Sequence, residues 1–136
     1  MPEARHARGL IDTSVVIDLD KLGAAQLPDE LVISAVTLAE LAAGPHTAGD
    51  PTERARRQDR LQRAESSFDP LPFDDLGARA YGRVYGAAIA AGRKPRGRRG
   101  SDLLIAATAL AHGLPLYTRN ADDFAELNSL LDVVAV

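Results

Sequence analysis

Four carboxylates define the chemistry open to this chain. Asp12, Glu40, Asp102 and Asp123 each stand where a short apolar run gives way to the start of a helix. Their segments read Gly9-Leu10-Ile11-Asp12-Thr13-Ser14, Thr37-Leu38-Ala39-Glu40, Gly100-Ser101-Asp102-Leu103-Leu104 and Asn120-Ala121-Asp122-Asp123-Phe124. Brought to one edge of a sheet, such acids repel one another and at least one pKa is driven upward. Helix N-termini offset only about 0.3–1 kcal/mol each, so a cation is the natural counter-charge. The chain has no cysteine and only three scattered histidines, His6, His46 and His112. Thiolate and zinc sites are thereby disfavoured, and an oxygen-bound Mg²⁺ or Mn²⁺ is expected. Such an ion acidifies water, polarises a phosphoryl group and stabilises a leaving oxygen. Neither a Ser-His-Asp arrangement nor a Lys-based nucleophile is suggested.

Each acid taken singly has a simpler explanation. Asp12 can cap the helix that Thr13-Ser14 begins. Thr37-Leu38-Ala39-Glu40 fits a capping box in which Glu40 reaches back to the Thr37 backbone N–H. Asp102 after Ser101, and Asp122 and Asp123 after Asn120, can favour a helix dipole. The conjunction of four acids at the same kind of position makes the metal reading the stronger one.

The elements that would position these acids alternate in type. Strands are expected at 8–11, 31–34, 71–73, 115–118 and 133–136, the third held to an edge by Pro72. Helices are expected from Thr13 to about Leu22, Thr37 to about Ala43, Pro51 to about Ser66, Asp75 to Ala91, Ser101 to His112 and Asp122 to about Leu130. The 75–91 pattern carries an apolar stripe of Leu76, Ala80, Val84, Ala87 and Ala91, with Tyr81 and Tyr85 beside it. Gly82 and Gly86 there predict close packing against another helix, within the chain or in a second subunit. Residues 92–100 read as a flexible loop. Alternating strands and helices predict an α/β fold with a mainly parallel sheet and helices on both faces. In such sheets ligands bind beyond the carboxyl ends of the strands.

With 136 residues, 46% hydrophobic and 26% charged, the chain is expected to be a single domain spanning 1–136 with an ordinary core. No apolar run approaches the length of a membrane span, and the charged N-terminus lacks a signal-peptide pattern, so a cytoplasmic location is expected. Net charge is −3, yet 14 of the 16 basic residues are arginine. Five of them, Arg54, Arg56, Arg57, Arg60 and Arg63, lie in one stretch, which Glu53 and Arg57 at i,i+4 spacing favour as a solvated helix face. The other cluster is Arg93-Lys94-Pro95-Arg96-Gly97-Arg98-Arg99, just ahead of Asp102. Its cations, Arg96, Arg98 and Arg99 foremost, are placed to meet substrate phosphates at the mouth of an acidic site.

Leu10-Ile11-Asp12-Thr13-Ser14, Val36-Thr37-Leu38-Ala39-Glu40-Leu41, Asp102-Leu103-Leu104-Ile105-Ala106-Ala107 and Thr118-Arg119-Asn120-Ala121-Asp122-Asp123-Phe124, taken together, resemble the PIN-domain ribonucleases. The resemblance runs from about residue 9 to the C-terminus and is nearest to the VapC toxins of bacterial toxin–antitoxin pairs. It implies a PIN-like three-layer α/β/α fold with strand order 3-2-1-4-5 and Mg²⁺ or Mn²⁺ at the C-terminal edge. It also implies endonucleolytic cleavage of RNA, a homodimer, and a cognate VapB-like antitoxin bound in a hetero-oligomer that blocks the site. The family acids fall on Asp12, Glu40, Asp102 and Asp123, with Asn120 and Asp122 competing for the fourth place. Asp12 and Asp102 would be the main metal ligands, with Glu40 and Asp123 completing the cluster and orienting water. Thr13, Ser14 and Thr118 occupy motif positions suited to hydrogen bonding water, phosphate or a ligand carboxylate.

Other acidic folds fit less well. A phosphorelay receiver needs adjacent acids after its first strand and a late lysine, whereas Thr13 follows Asp12 and the only lysines are Lys21 and Lys94. A haloacid-dehalogenase-like phosphatase needs an Asp where Ser14 stands. The non-enzymatic competitor is a PIN-like module that binds RNA or a partner without cutting.

Overall fold

The computed structural model describes residues 6–95 and 97–136. The basic candidate Arg96 lies outside the described residues. Strands β1 (Arg8–Ile11), β2 (Glu30–Val32), β3 (Leu116–Thr118) and β4 (Val133–Ala135) pair in parallel in the order β2-β1-β3-β4. Around them lie α1 (Thr13–Ile17), α2 (Ala35–Ala43), α3 (Pro51–Ser67), α4 (Asp75–Ala90) and α5 (Arg98–Ala111).

Successive strand residues feed opposite cores. Leu10, Val32 and Leu116 pack with Val84 and Ala88 of α4 and Leu103, Ala106 and Ala107 of α5. Ile11, Ile33 and Tyr117 face the other way, onto Val15, Leu41 and Ala64 of α1, α2 and α3. Burial on both faces explains why the strands are continuous apolar runs rather than alternating ones. The α/β/α layering is the expected one. Gly9 is required by this packing, because a Cβ there would lie 2.6 Å from Tyr117 Cε1.

The strand expected at 71–73 shrinks to one bridge. Leu71 donates to Ile33 O at 2.9 Å and accepts from Ala35 N at 2.8 Å, pairing in parallel beside β2. Pro72 follows and has no N–H to continue the ladder. The four full strands keep the expected relative order.

Several helix boundaries differ from expectation. The first helix stops at Ile17, and Leu19–Lys21 continues as a 3₁₀ turn. Residues 121–127 are likewise 3₁₀ rather than α-helical. Helix α2 begins two residues early because Ser34 caps it, accepting from Val36 N at 2.9 Å. Helix α5 begins at Arg98, inside the stretch expected to be a loop, after Gly97 turns the chain with φ +54°. Helix α4 buries Gly77, Ala80, Val84 and Ala88, while Leu76 is half exposed. A Cβ at Gly82 or Gly86 would meet nothing within 4 Å, so these glycines do not serve packing within the chain.

One ion pair fastens the 121–127 turn to α5. The Glu126 side chain is only 5% exposed and pairs with the Arg99 guanidinium, with Arg93 at 3.8 Å. Among the described residues, neither Glu126 carboxylate oxygen has a hydrogen-bond partner, so these ion pairs alone offset its charge. Arg99 also donates to the Asp123 carbonyl and lies 5.7 Å over the Phe124 ring. Removing one partner of such a pair strands a buried charge. Glu126→Ala should therefore lower stability by about 3 kcal/mol or more in urea melts, whereas replacing both partners, Arg99→Met with Glu126→Leu, should recover most of the loss.

Candidate active site at the sheet edge

Asp12 ends β1 and begins α1. Its backbone N–H donates to Tyr117 O at 3.0 Å, which extends the β1–β3 pairing to the edge where the strands end. The side chain is 4% exposed and accepts from Val15 N at 3.2 Å and from the Ser14 hydroxyl at 2.5 Å. Ser14 Oγ in turn accepts from Arg119 N at 3.1 Å, tying the end of β3 to Asp12. Asp12 thus caps α1, as the simpler explanation holds, but it does so facing the same edge as two other acids.

Glu40 does not form the expected capping box. Thr37 is the third residue of α2, and the N-cap is Ser34, which accepts from Val36 N. Instead the Thr13 hydroxyl donates to Glu40 Oε1 at 2.7 Å and stands 3.1 Å from the Thr37 hydroxyl. This contact fixes the Glu40 carboxylate beside the start of α1.

Asp102 also lies within its helix, more than a turn after the α5 start at Arg98. Its position owes nothing to capping. Burial pushes its carboxyl up from 3.8 to about 6, and the charges of Asp12 and Glu40 push in the same direction. Arg99 and Arg98 draw it partly back. Asp12, Glu40 and Asp102 therefore share one electrostatic field at the carboxyl ends of the strands.

Asp123 stands apart from this trio. It is exposed in the 121–127 turn, where its N–H donates to Asn120 O at 3.0 Å. Its charge acts on Arg99, which also feels Asp102, so Arg99 lies between the two acids' fields. Burial and Arg93 lower the Arg99 pKa, and Asp102 and Asp123 oppose them. Thr118 is fully buried, and its hydroxyl accepts from Asn120 N at 3.1 Å. Arg98 is exposed at the start of α5 and borders a cavity that Glu40 and Thr13 also line.

Sequence reasoning passes over Thr37 as a site neighbour and Glu126 as the partner of Arg99. Thr37 is legible only as a cap, and nothing in the Phe124-Ala125-Glu126-Leu127 pattern marks a buried acid.

The donor set suits a hard cation. It is all oxygen, and burial first, then the charges of Asp12 and Glu40, raise the Asp102 carboxyl. Among the described residues, no three acidic or histidine side chains converge closely enough to grip an ion as placed.

A PIN-domain family model matches residues 9–130. Ribonuclease VapC5 of Mycobacterium tuberculosis is 37% identical over 130 residues, covering 93% of each chain. Ribonuclease VapC8 of the same organism is 38% identical over 110 residues, covering 80% of this chain and 96% of that one. Among solved structures, the toxin–antitoxin assembly VapBC-5 of M. tuberculosis matches with a TM-score of 0.83 and 36% identity, covering 96% of this chain and 99% of that chain. VapBC-1 of nontypeable Haemophilus influenzae matches with a TM-score of 0.70 and 25% identity, covering 91% and 95%. A family model spanning nearly the whole chain, with relatives this similar over most of their length, places the protein in the PIN-domain family, among its VapC ribonucleases.

Proposed function

We propose that this protein is the toxin of a VapBC-type pair, an Mg²⁺- or Mn²⁺-dependent endoribonuclease acting through Asp12, Glu40, Asp102 and Asp123. The observation that carries the reading is the Asp102 carboxyl, lifted to about 6 by burial and by Asp12 and Glu40 at one sheet edge. When bound, the ion supplies Lewis acidity toward the phosphoryl group and acidifies water. Asp12 and Asp102 hold it, and Glu40, oriented by the Thr13 hydroxyl, accepts a proton from the attacking water. Ser14 keeps the Asp12 carboxylate turned to the edge through its short hydrogen bond. Asp123, exposed on the 121–127 turn, is assigned as the fourth acid. Of the basic residues ahead of Asp102, Arg96 and Arg98 hold the RNA backbone, while Arg99 is taken up by Glu126.

The partner is a VapB-like antitoxin, as in the VapBC assemblies that this chain resembles. A second copy of the chain is assigned to the outward face of α4, where Tyr85 and Ile89 are exposed and Gly82 and Gly86 leave open space. No helix among the described residues is long and apolar enough to cross a membrane, and we place the activity in the cytoplasm, where RNA is available. The competing reading is a binding module that does not cut. It draws on the acids' failure to converge on a common point.

Three outcomes decide between these readings. Asp12→Asn and Asp102→Asn should each lower RNA cleavage by on the order of 100-fold or more, with circular dichroism unchanged, because several kcal/mol of charge stabilisation is lost. Full cleavage by folded Asp12→Asn protein, or none by the wild type with either metal, would end the nuclease reading.

The second outcome concerns pH. The Asp102 pKa is higher in the folded chain than its ordinary value of 3.8, so the native state holds the proton more tightly up to about pH 6. Stability of the metal-free protein should therefore fall as pH rises from about 4 to about 6, and Asp102→Asn should flatten that segment of the Tm profile. Third, Mn²⁺ should raise Tm more above pH 6 than at pH 4, because the proton competes for the same carboxylate. A metal-induced rise that is equal at both pH values would place the ion elsewhere.

A further inference from the structure

The arginines of α3 do not all sit on a solvated face. A groove of about 350 Å³ opens beside Glu40 and Thr13 and is lined across from them by Arg57 and Arg60 of α3 and Arg98 of α5. Three guanidinium groups there face only two carboxylates, Glu40 and Glu53.

The pairing within α3 decides which cation is free. Arg57 is held in place: its Nε donates to Glu53 at 3.0 Å, and its Nη1 to Gly44 O at 2.9 Å and Thr47 Oγ1 at 3.1 Å. Glu53 also holds Arg56 at 2.9 Å, and Arg63 pairs with Asp59 at 2.8 Å. Arg60 is partly buried, yet among the described residues it has neither a carboxylate nor a hydrogen-bond partner. Arg98, at the other wall, is exposed and among the described residues has no ion-pair or hydrogen-bond partner, though its charge reaches Asp102. A partly desolvated guanidinium with unfilled donors is stabilised by an anion.

We propose that this groove is a phosphate subsite for the RNA strand, with Arg60 and Arg98 as its anion-binding groups. The assignment rests on the nuclease reading and specifies where the strand lies: the phosphate next to the one being cut sits between α3 and the start of α5. Arg60 also lines the adjoining groove of about 830 Å³ between α1, β2 and α3. That larger groove also carries Asp20, Asp29, Glu30 and Asp59, so the phosphate contact belongs to the smaller one. No aromatic side chain lines the smaller groove, so it offers no stacking surface, and the contact is to backbone phosphate without sequence preference. Helix α3 thereby gains a role that its charge pattern alone disguises as solvation.

The test measures binding of a fluorescein-labelled single-stranded RNA of mixed sequence to Asp102→Asn protein, which does not cut it. Arg60→Glu should weaken binding about tenfold or more, and Arg60→Ala with Arg98→Ala should reduce the slope of log affinity against log salt by about 0.7 for each phosphate no longer neutralised. In the wild-type background, Arg60→Ala should raise KM for RNA with little change in kcat, and Arg60→Lys should retain most of the affinity. Arg54→Glu is the charge-matched control, since Arg54 borders a separate cavity with Pro45 and Pro51. Unchanged RNA affinity in Arg60→Glu, or an equal loss in Arg54→Glu, overturns the proposal. So does a variant that keeps RNA affinity but loses binding of a Glu-rich peptide, which would give the groove to a protein partner. Absence of cleavage by the wild type would sink the nuclease reading, while RNA binding and its dependence on Arg60 would still be measured.

Discussion

Repulsion among Asp12, Glu40 and Asp102 is the constraint around which this molecule is arranged. Each carboxylate reaches the edge from a different element: the end of β1, the body of α2 and the body of α5. Two hydroxyls hold the arrangement. Ser14 links Asp12 to the end of β3, and Thr13 links α1 to Glu40. A parallel sheet is what allows acids so far apart in the chain to end at one edge, since all its strands finish on the same side. The Asp102 carboxyl carries the cost, raised first by burial and further by the charges of Asp12 and Glu40.

The cations are distributed in the same logic. Arg99 is drawn inward by Glu126 and the Asp123 carbonyl, and it joins the turn carrying the fourth acid to the helix carrying the third. Arg60 and Arg98 are left outward and unpaired beside Glu40. Two arginines adjacent in sequence, Arg98 and Arg99, thus have different tasks. One stabilises the scaffold, and the other faces the groove.

Much of this is legible in the amino-acid sequence. The apolar runs at 8–11 and 115–118, flanked by chain-turning residues, mark the inner strands, and Asp12 follows from the first of them. Where the structure departs from expectation, a tertiary contact or a backbone preference overrides a local signal. Ser101-Asp102 looks like a helix start, but Gly97 turns the chain earlier and draws Arg98 to Gly100 into α5. Thr37 and Glu40 have capping-box spacing, yet Ser34 supplies the cap and frees Glu40 for Thr13. Gly82 and Gly86 predict tight packing and instead face open space. Glu126 is invisible in sequence because a buried acid is recognisable only with its partner, and Arg99 lies far from it in the chain. The shared edge of Asp12, Glu40 and Asp102 follows from where the strands end, whereas Asp123 lies further out than its motif suggests.

The central strand has a temporal consequence. β1 takes one neighbour from residues 30–32 and the other from 116–118. During synthesis, a chain released only through α4 would have Asp12 and Glu40 but no β3 to seat the Asp12 amide and no α5 to bring Asp102. Long-range parallel pairing of this kind forms late, after most loop-closure entropy has been overcome. The acidic edge of this fold is therefore complete only once both α5 and β3 have emerged.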